Sequence, residues 1–253
     1  MKFLGIIPAR YGSTRLEGKP LVDICGKTMI EWVYNESCKA LDTVYVATDD
    51  ERIAKVVRDF GGKVVLTSSN HENGTTRCLE AWNLINEIEN QSFDAALNIQ
   101  GDEPLLHYGS LEDLKNCFED GETKFATLVI PVTTEEDLFN DSEVFVTFNN
   151  NMDALYFSRS VIPHIRGRHK LHWLEDGKFH KHLGLYAYTY KTLKEFSSMP
   201  PSQLENYECL EQLRWLENGG QIKIGITQHE SIPVDTLDDL KRVRETMAKR
   251  LEV

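Results

Sequence analysis

The chain has 253 residues, of which 41% are hydrophobic and 27% are charged, and its formal net charge is −12. This length and apolar content suffice for a large α/β domain, and the charged fraction argues against a membrane protein or a disordered chain. The acidic balance argues against a general nucleic-acid binder, whose surface should be basic. Because no apolar run approaches a membrane span of about 20 residues and no secretory pattern is present, we expect a cytoplasmic protein.

Strand and helix patterns alternate four times in the first half. Apolar runs predict strands at 2–7, 44–47, 64–66 and 95–99. Helical periodicity predicts helices at 28–39 and 75–89, and the spacing of Thr48 and Glu51 predicts a capping box that opens a helix running to about Phe60. This alternation predicts a mostly parallel, twisted α/β sheet flanked by helices, Rossmann-like, with ligands bound beyond the carboxyl ends of its strands.

The second half is less regular. We expect strands at 125–132, 144–148, 156–158, 183–188 and 222–226, a helix at 205–216 and a last helix capped at Thr236. A basic, loop-like segment covers 159–181. We therefore expect one domain, 1–253, made of a core (1–130) and a smaller part (131–253). The five cysteines form no Cys-x-x-Cys pair, so neither a zinc site nor a disulfide framework is indicated.

A polar segment rich in cations follows the first predicted strand. Gly12 and Gly18 allow close backbone approach to phosphate oxygens, and Ser13 adds a hydroxyl. The segment also holds three cations: Arg10, Arg15 and Lys19. Its glycine spacing matches neither the Walker loop nor Gly-x-Gly-x-x-Gly. The sequence predicts a phosphate site here in preference to a capped, solvated loop, and it disfavours a dehydrogenase.

Two further polar clusters stand beside predicted elements. Asp102 follows the fourth strand and can bind Mg²⁺ together with substrate phosphates, while Gln100 can orient a substrate. An acidic turn is the alternative. Asn73, Thr75 and Arg77 precede or open a helix, where they can contact a base or ribose or only cap the helix.

Six motifs in order resemble one known family. They occupy 7–21, 47–53, 100–104, 154–159, 210–214 and 234–240. Together they are similar to the 3-deoxy-manno-octulosonate cytidylyltransferases, which are also called CMP-Kdo synthetases. The resemblance implies a homodimeric, Mg²⁺-dependent enzyme that joins CMP from CTP to an acidic sugar and releases pyrophosphate.

The resemblance also implies roles for individual residues. The residues implied to hold the triphosphate are Arg10, Ser13, Arg15 and Lys19, and those implied to contact the cytidine are Asn73, Thr75 and Arg77. Asp102 and Asp235 are implied to bind magnesium. The residues implied to hold the sugar are Gln100, Arg159, His182, Tyr186, Glu208 and Gln212. Arg10, Lys19 and the two aspartates are the implied catalytic residues.

Four positions depart from the pattern usual in the family. Glu17 stands where a proline is usual, and Thr76 where an acidic residue is usual. Phe145 stands where a lysine is usual, and Thr189 where an arginine is usual. Since the loss of cations near the sugar suits a substrate that carries its own positive charge, these changes raise the hypothesis of an 8-amino sugar. Another acidic sugar, such as a sialic-acid relative, and a non-catalytic nucleotide-binding relative are the alternatives.

Overall fold

The computed structural model describes residues 1–12 and 16–252. Within them the strands are β1 (Phe3–Ala9), β2 (Asp23–Ile24), β3 (Lys27–Thr28), β4 (Val44–Thr48), β5 (Val64–Leu66), β6 (Ala95–Asn98), β7 (Phe125–Pro131), β8 (Phe145–Phe148), β9 (Ala154–Ser158), β10 (His180–Thr189) and β11 (Lys223–Ile226). The helices are α1 (Met29–Ser37), α2 (Glu51–Asp59), α3 (Gly74–Glu89), α4 (Tyr108–Asn116), α5 (Glu135–Leu138), α6 (Trp173–Asp176), α7 (Tyr190–Ser198), α8 (Gln203–Glu208), α9 (Leu213–Glu217) and α10 (Leu237–Leu251).

In the described part of the chain, nine strands form one sheet. Its path runs β11-β7-β10-β6-β1-β4-β5, with β8 and β9 attached beside β10. The pairs β1–β4, β1–β6, β4–β5 and β7–β11 are parallel, whereas β10 runs antiparallel to both of its neighbours on the path. The expected mostly parallel sheet flanked by helices is confirmed. Strands from both sides of residue 130 share this sheet, and the division at 130 stays a prediction.

The apolar residues of the strands pack into two layers, one on each face of the sheet. Side chains alternate along a strand, so Leu4 and Ile6 of β1 pack with α3 and α7, while Ile7 packs with α1, α2 and α4. Burial on both faces explains why the parallel strands read as nearly continuous apolar runs in the sequence.

A smaller apolar cluster docks the last helix beside the carboxyl edge of the sheet. Leu240 and Val243 of α10 pack with Leu105 and Val234. The backbone N–H of Val234 donates to the carbonyl oxygen of Asp102 over 2.9 Å. This packing brings the segment just before α10 next to the end of β6. No helix within the described residues is both long and apolar enough to cross a membrane.

Two expectations about local structure are wrong. The predicted helix 205–216 is two helices, α8 and α9, because Cys209 between them has a left-handed backbone with φ of 52°. The N-cap of α2 is Asp50, whose side chain accepts from the N–H of Arg52, so Thr48 and Glu51 form no capping box. The expected capping box at Thr236 is present, with Asp239 as its partner.

Candidate active site

A cleft of about 310 Å³ opens at the carboxyl edge of β1 and β6. That volume lies in the range of small-molecule sites. Seven of the residues singled out by sequence line it: Arg10, Lys19, Asn73, Arg77, Gln100, Asp102 and Asp235. Ser13 and Arg15 lie outside the described residues. The cleft therefore collects side chains from segments more than 200 residues apart in sequence.

Lys19 joins the two aspartates expected to bind magnesium. Its ammonium donates to Oδ2 of Asp102 over 2.6 Å and to Oδ1 of Asp235 over 2.9 Å. Lys19 is buried on a 3₁₀ turn that Gly18 opens in the left-handed region, with φ of 65°. The two carboxylates thus converge on one cationic point beside the carboxyl ends of the strands.

A third carboxyl group lies behind this pair. Glu103 is buried, and desolvation, aided by the negative charge of Asp102, raises its pKa to about 7. Titratable groups with strongly shifted pKa values gather at functional sites. The acidic side of the cleft therefore combines two partly exposed carboxylates with a buried one whose raised pKa favours the protonated form.

Asn73, Thr75 and Arg77 lie at the start of α3, but they face different partners. The side chain of Asn73 caps α3 by accepting from the N–H of Thr76 over 2.9 Å. Arg77 is buried at the cleft and donates to Thr67 Oγ1 over 2.6 Å, with the carboxylate of Asp49 3.5 Å away. Thr75 is buried and does not line the cleft. This segment can therefore cap α3 and also contribute residues to the cleft.

Glu211 is a residue of the site region that the sequence reading missed. Its carboxylate accepts from Asn73 Nδ2 over 3.0 Å and from Thr75 Oγ1 over 2.8 Å. Burial raises its pKa. A continuous helix over 205–216 would place Glu208 and Gln212 on one face, four residues apart. The break at Cys209 changes that phase and turns Glu211 toward α3.

The residues expected to hold the sugar lie in two groups. Around β10, the hydroxyl of Tyr186 donates to Gln212 Oε1 over 3.1 Å. His182 pairs with Thr127 Oγ1 at 2.9 Å, and burial lowers its pKa to about 3, which keeps the imidazole neutral at neutral pH. The amide nitrogen of Gln212 is buried with no hydrogen-bond partner among the described residues.

The second group lies at the end of β9. Glu208 accepts from the backbone N–H of Arg159 over 2.9 Å and from Ser158 Oγ over 2.8 Å. The guanidinium of Arg159 donates to the carbonyl oxygen of Glu208 over 2.8 Å. None of Arg159, His182, Tyr186, Glu208 and Gln212 lines the cleft. Gln100 joins β10 to the cleft by donating to the carbonyl oxygen of Gly184 over 3.0 Å.

Comparison with known proteins decides the family. The family model described as cytidylyltransferase matches residues 4–226. A 3-deoxy-manno-octulosonate cytidylyltransferase of Bacteroides thetaiotaomicron is 51% identical over 253 residues, covering 99% of this chain and all of the relative. The chain belongs to the 3-deoxy-manno-octulosonate cytidylyltransferase family. As a member of that family it is a nucleotidyltransferase, which confirms the enzyme class inferred from the six motifs.

Two further members of the family are similar to this chain, one of them a solved structure. The chain superposes on a CMP:2-keto-3-deoxy-manno-octonic acid synthetase complexed with CTP, with a TM-score of 0.88, 39% identity and coverage of 99% of this chain and 100% of that one. An 8-amino-3,8-dideoxy-manno-octulosonate cytidylyltransferase of Shewanella baltica is 44% identical and covers 96% of this chain and 97% of the relative. Family members named for two different sugars are thus similar to this chain over nearly its whole length.

Proposed function

We propose that this protein transfers the CMP group of CTP to the anomeric hydroxyl of a 3-deoxy-octulosonic acid and releases pyrophosphate. The observation that carries the proposal is the pairing of Lys19 with Asp102 and Asp235 in a cleft at the carboxyl edge of the sheet. The names of the similar proteins support this reaction and this class of sugar. We further propose that the product serves lipopolysaccharide synthesis.

The cations of the cleft suit a nucleoside triphosphate. Arg10 and Lys19 line it, and a guanidinium can hold phosphate oxygens through two parallel hydrogen bonds. Two anionic substrates repel one another, so cations must offset both charges before the sugar hydroxyl can approach the α-phosphorus. Catalysis in such a site rests mainly on positioning and on electrostatic stabilisation. We propose that Arg10 and Lys19 supply that stabilisation, together with Ser13 and Arg15.

The two aspartates fit a magnesium ion. Their oxygens already bracket one cation, the Lys19 ammonium, within 2.9 Å. No group of three or more His, Cys, Asp or Glu side chains with metal-site geometry occurs among the described residues. Mg²⁺ commonly takes one or two carboxylates and completes its shell with water and substrate phosphates. Held by Asp102 and Asp235, magnesium would neutralise phosphate charge and lower the pKa of the sugar hydroxyl.

We propose that the polar residues around β10 and β9 receive the sugar. Gln212 offers a buried amide N–H₂ without a partner among the described residues, and buried donors are normally satisfied. A sugar hydroxyl or carboxylate would satisfy it. Arg159 provides a cation for the carboxylate of the sugar, and Glu208 holds it by the contacts described above. Gln100, His182 and Tyr186 complete the proposed sugar side.

Two of the sequence departures give no reason to choose between the two sugars. Phe145 is buried in an apolar cluster with Trp173 and Phe179. Thr189 caps α7 at the start of β6, which is the end of the sheet opposite the cleft. The choice rests on the relatives, since the one named for the unsubstituted sugar is 51% identical and the one named for the amino sugar is 44% identical. We propose 3-deoxy-manno-octulosonate as the substrate, with its 8-amino relative as the competitor to be tested.

The experiment measures pyrophosphate release with CTP and Mg²⁺ from each of these two sugars, side by side. We expect higher kcat/KM with 3-deoxy-manno-octulosonate. The variant Asp235→Asn should lose the activity, whereas Asp238→Asn, an exposed aspartate three residues along the chain, should keep it. Preference for the amino sugar would overturn the choice of substrate. Binding of CTP without turnover of either sugar would support another acidic sugar, such as a sialic-acid relative, or a non-catalytic role.

We also propose a homodimer in the cytoplasm. Large apolar side chains in the second half of the chain are exposed, among them Leu155 of β9 and Tyr207 of α8. Such side chains are what a subunit interface buries. All five cysteines are free thiols, which suits a reducing compartment. Sedimentation velocity on the wild type and on Leu155→Asp tests the dimer, and a monomeric wild type would contradict it.

A further inference from the structure

A chain of hydrogen bonds includes two residues that line the cleft, His71 and Asn73. His71 Nδ1 lies 3.1 Å from Thr76 Oγ1, and its Nε2 bonds to the carboxylate of Glu80. Thr76 Oγ1 lies 3.0 Å from Asn73 Oδ1, and Asn73 Nδ2 donates to Glu211 over 3.0 Å. The chain thus joins two partly exposed acids, Glu80 of α3 and Glu211, through two residues of the cleft.

The charged side chain of Glu80 is held in place and fixes the position of the His71 ring. Its two carboxylate oxygens accept from the backbone N–H of Ser68 over 3.2 and 3.0 Å. Burial pushes the pKa of Glu80 upward, but the hydrogen bonds from His71 and from Ser68 outweigh it and hold the pKa below its ordinary value. Glu80 therefore remains ionised at neutral pH and keeps hold of the imidazole.

His71 lines the cleft but has no ring nitrogen left for a ligand. Thr76 and Glu80 take both nitrogens, and the side chain is only 16% exposed. The ring therefore presents a flat surface to the cleft and is held by two hydrogen bonds. It lines the cleft together with Asn73 and Arg77, the two cleft residues that the family resemblance implies to contact the cytidine.

We propose that His71, clamped between Thr76 and Glu80, sets the width of the cleft for the nucleotide base and so favours a pyrimidine over a purine. Glu80 acts as the positioning residue. Thr76, which stands where an acidic residue is usual in the family, holds the other ring nitrogen through its hydroxyl. The inference rests on the proposed use of CTP.

The test compares Glu80→Gln with the matched control Glu87→Gln, since Glu87 is an exposed glutamate on the same helix. CTP binding is measured by calorimetry without sugar, and kinetics give KM and kcat. Loss of a charge-assisted hydrogen bond that holds the ring predicts a Kd and KM for CTP raised about tenfold, with kcat within about twofold. Exclusion of ATP, measured as its inhibition constant relative to the KM for CTP, should weaken in the same variant.

Thr76→Val provides a second variant of nearly the same shape. It removes the hydroxyl that holds His71 Nδ1, and we expect the same changes at smaller size. An unchanged affinity for CTP in both variants, or a fall in kcat with KM unchanged, would overturn the inference while leaving the transferase proposal intact. A wild-type protein that binds no CTP would overturn both. A folded Glu80→Gln variant that excludes ATP as the wild type does would also refute the role of the ring.

Discussion

Replacement of Lys19 by methionine tests the site most directly. The change keeps the apolar stem of the buried side chain and removes the ammonium that joins Asp102 to Asp235. Because that cation is expected to stabilise the triphosphate as charge shifts to the leaving pyrophosphate, kcat/KM should fall by about 10²- to 10³-fold. The loss should appear mainly in kcat, since the charge develops in the transition state.

The same change should cost little stability. The side chains of Asp102 and Asp235 are 35% and 40% exposed, so water screens the charges that lose their partner. We therefore expect a loss of at most about 1 kcal/mol in the free energy of unfolding. That corresponds to a fall in Tm of about 2–4 °C for a chain of this size. If the loss of activity is this much larger than the loss of stability, the role of Lys19 is catalytic rather than structural.

Pyrophosphate release and thermal unfolding with and without Mg²⁺ are the assays, with the exposed Lys55→Met as the control. In the free wild type the Lys19 ammonium occupies the point where the two carboxylates converge, so it competes with a metal ion. Mg²⁺ should accordingly raise the Tm of Lys19→Met more than that of the wild type. Activity within threefold of the wild type, or no larger effect of Mg²⁺ on the variant, would refute this reasoning.

Three further substitutions test the packing and charge around the site. Lys181→Met should lower the free energy of unfolding by about 2 kcal/mol at pH 7.5, because the buried ammonium bridges three carboxylates. The loss should be smaller at pH 5, because burial raises the pKa of Glu143 and this carboxylate becomes protonated. Below pH 6 the free energy of unfolding should fall less steeply with decreasing pH in His182→Gln than in the wild type, by about 1.4 kcal/mol per pH unit. The reason is that the unfolded chain protonates this histidine, whereas the folded chain lowers its pKa to about 3 and keeps it neutral. Gly220→Ala should cost about 1–3 kcal/mol, because the added Cβ would lie 2.2 Å from the ring of Trp215, which is held by its own hydrogen bond to a backbone carbonyl.

Urea unfolding at several pH values measures all three. The exposed Lys191→Met and His169→Gln are controls for the first two, and neither should change stability by more than about 0.5 kcal/mol. An equal loss for Lys181→Met at both pH values would show that its carboxylate partners are not the cause. A pH profile of His182→Gln that parallels the wild type would contradict a neutral, buried imidazole. A stable Gly220→Ala protein would mean that the Trp215 ring can move aside.

The sequence by itself determined the fold class and the chemistry of the cleft. Buried parallel strands are apolar on both faces, so their runs of β-branched residues could be located without knowing their neighbours. Parallel strands also end on one edge, which is why Lys19 after β1 and Asp102 after β6 could be expected in the same place. The motif at 234–240 resembled its family closely enough to add Asp235.

Only the tertiary structure decided which residues face one another. The helix break at Cys209 depends on a single left-handed residue, and it turned Glu211 rather than Glu208 toward Asn73. Asp235 reaches Lys19 because α10 packs its apolar face beside the end of β6, a contact across more than 130 residues. Periodicity and spacing describe neighbours along the chain, whereas these contacts depend on packing between distant segments.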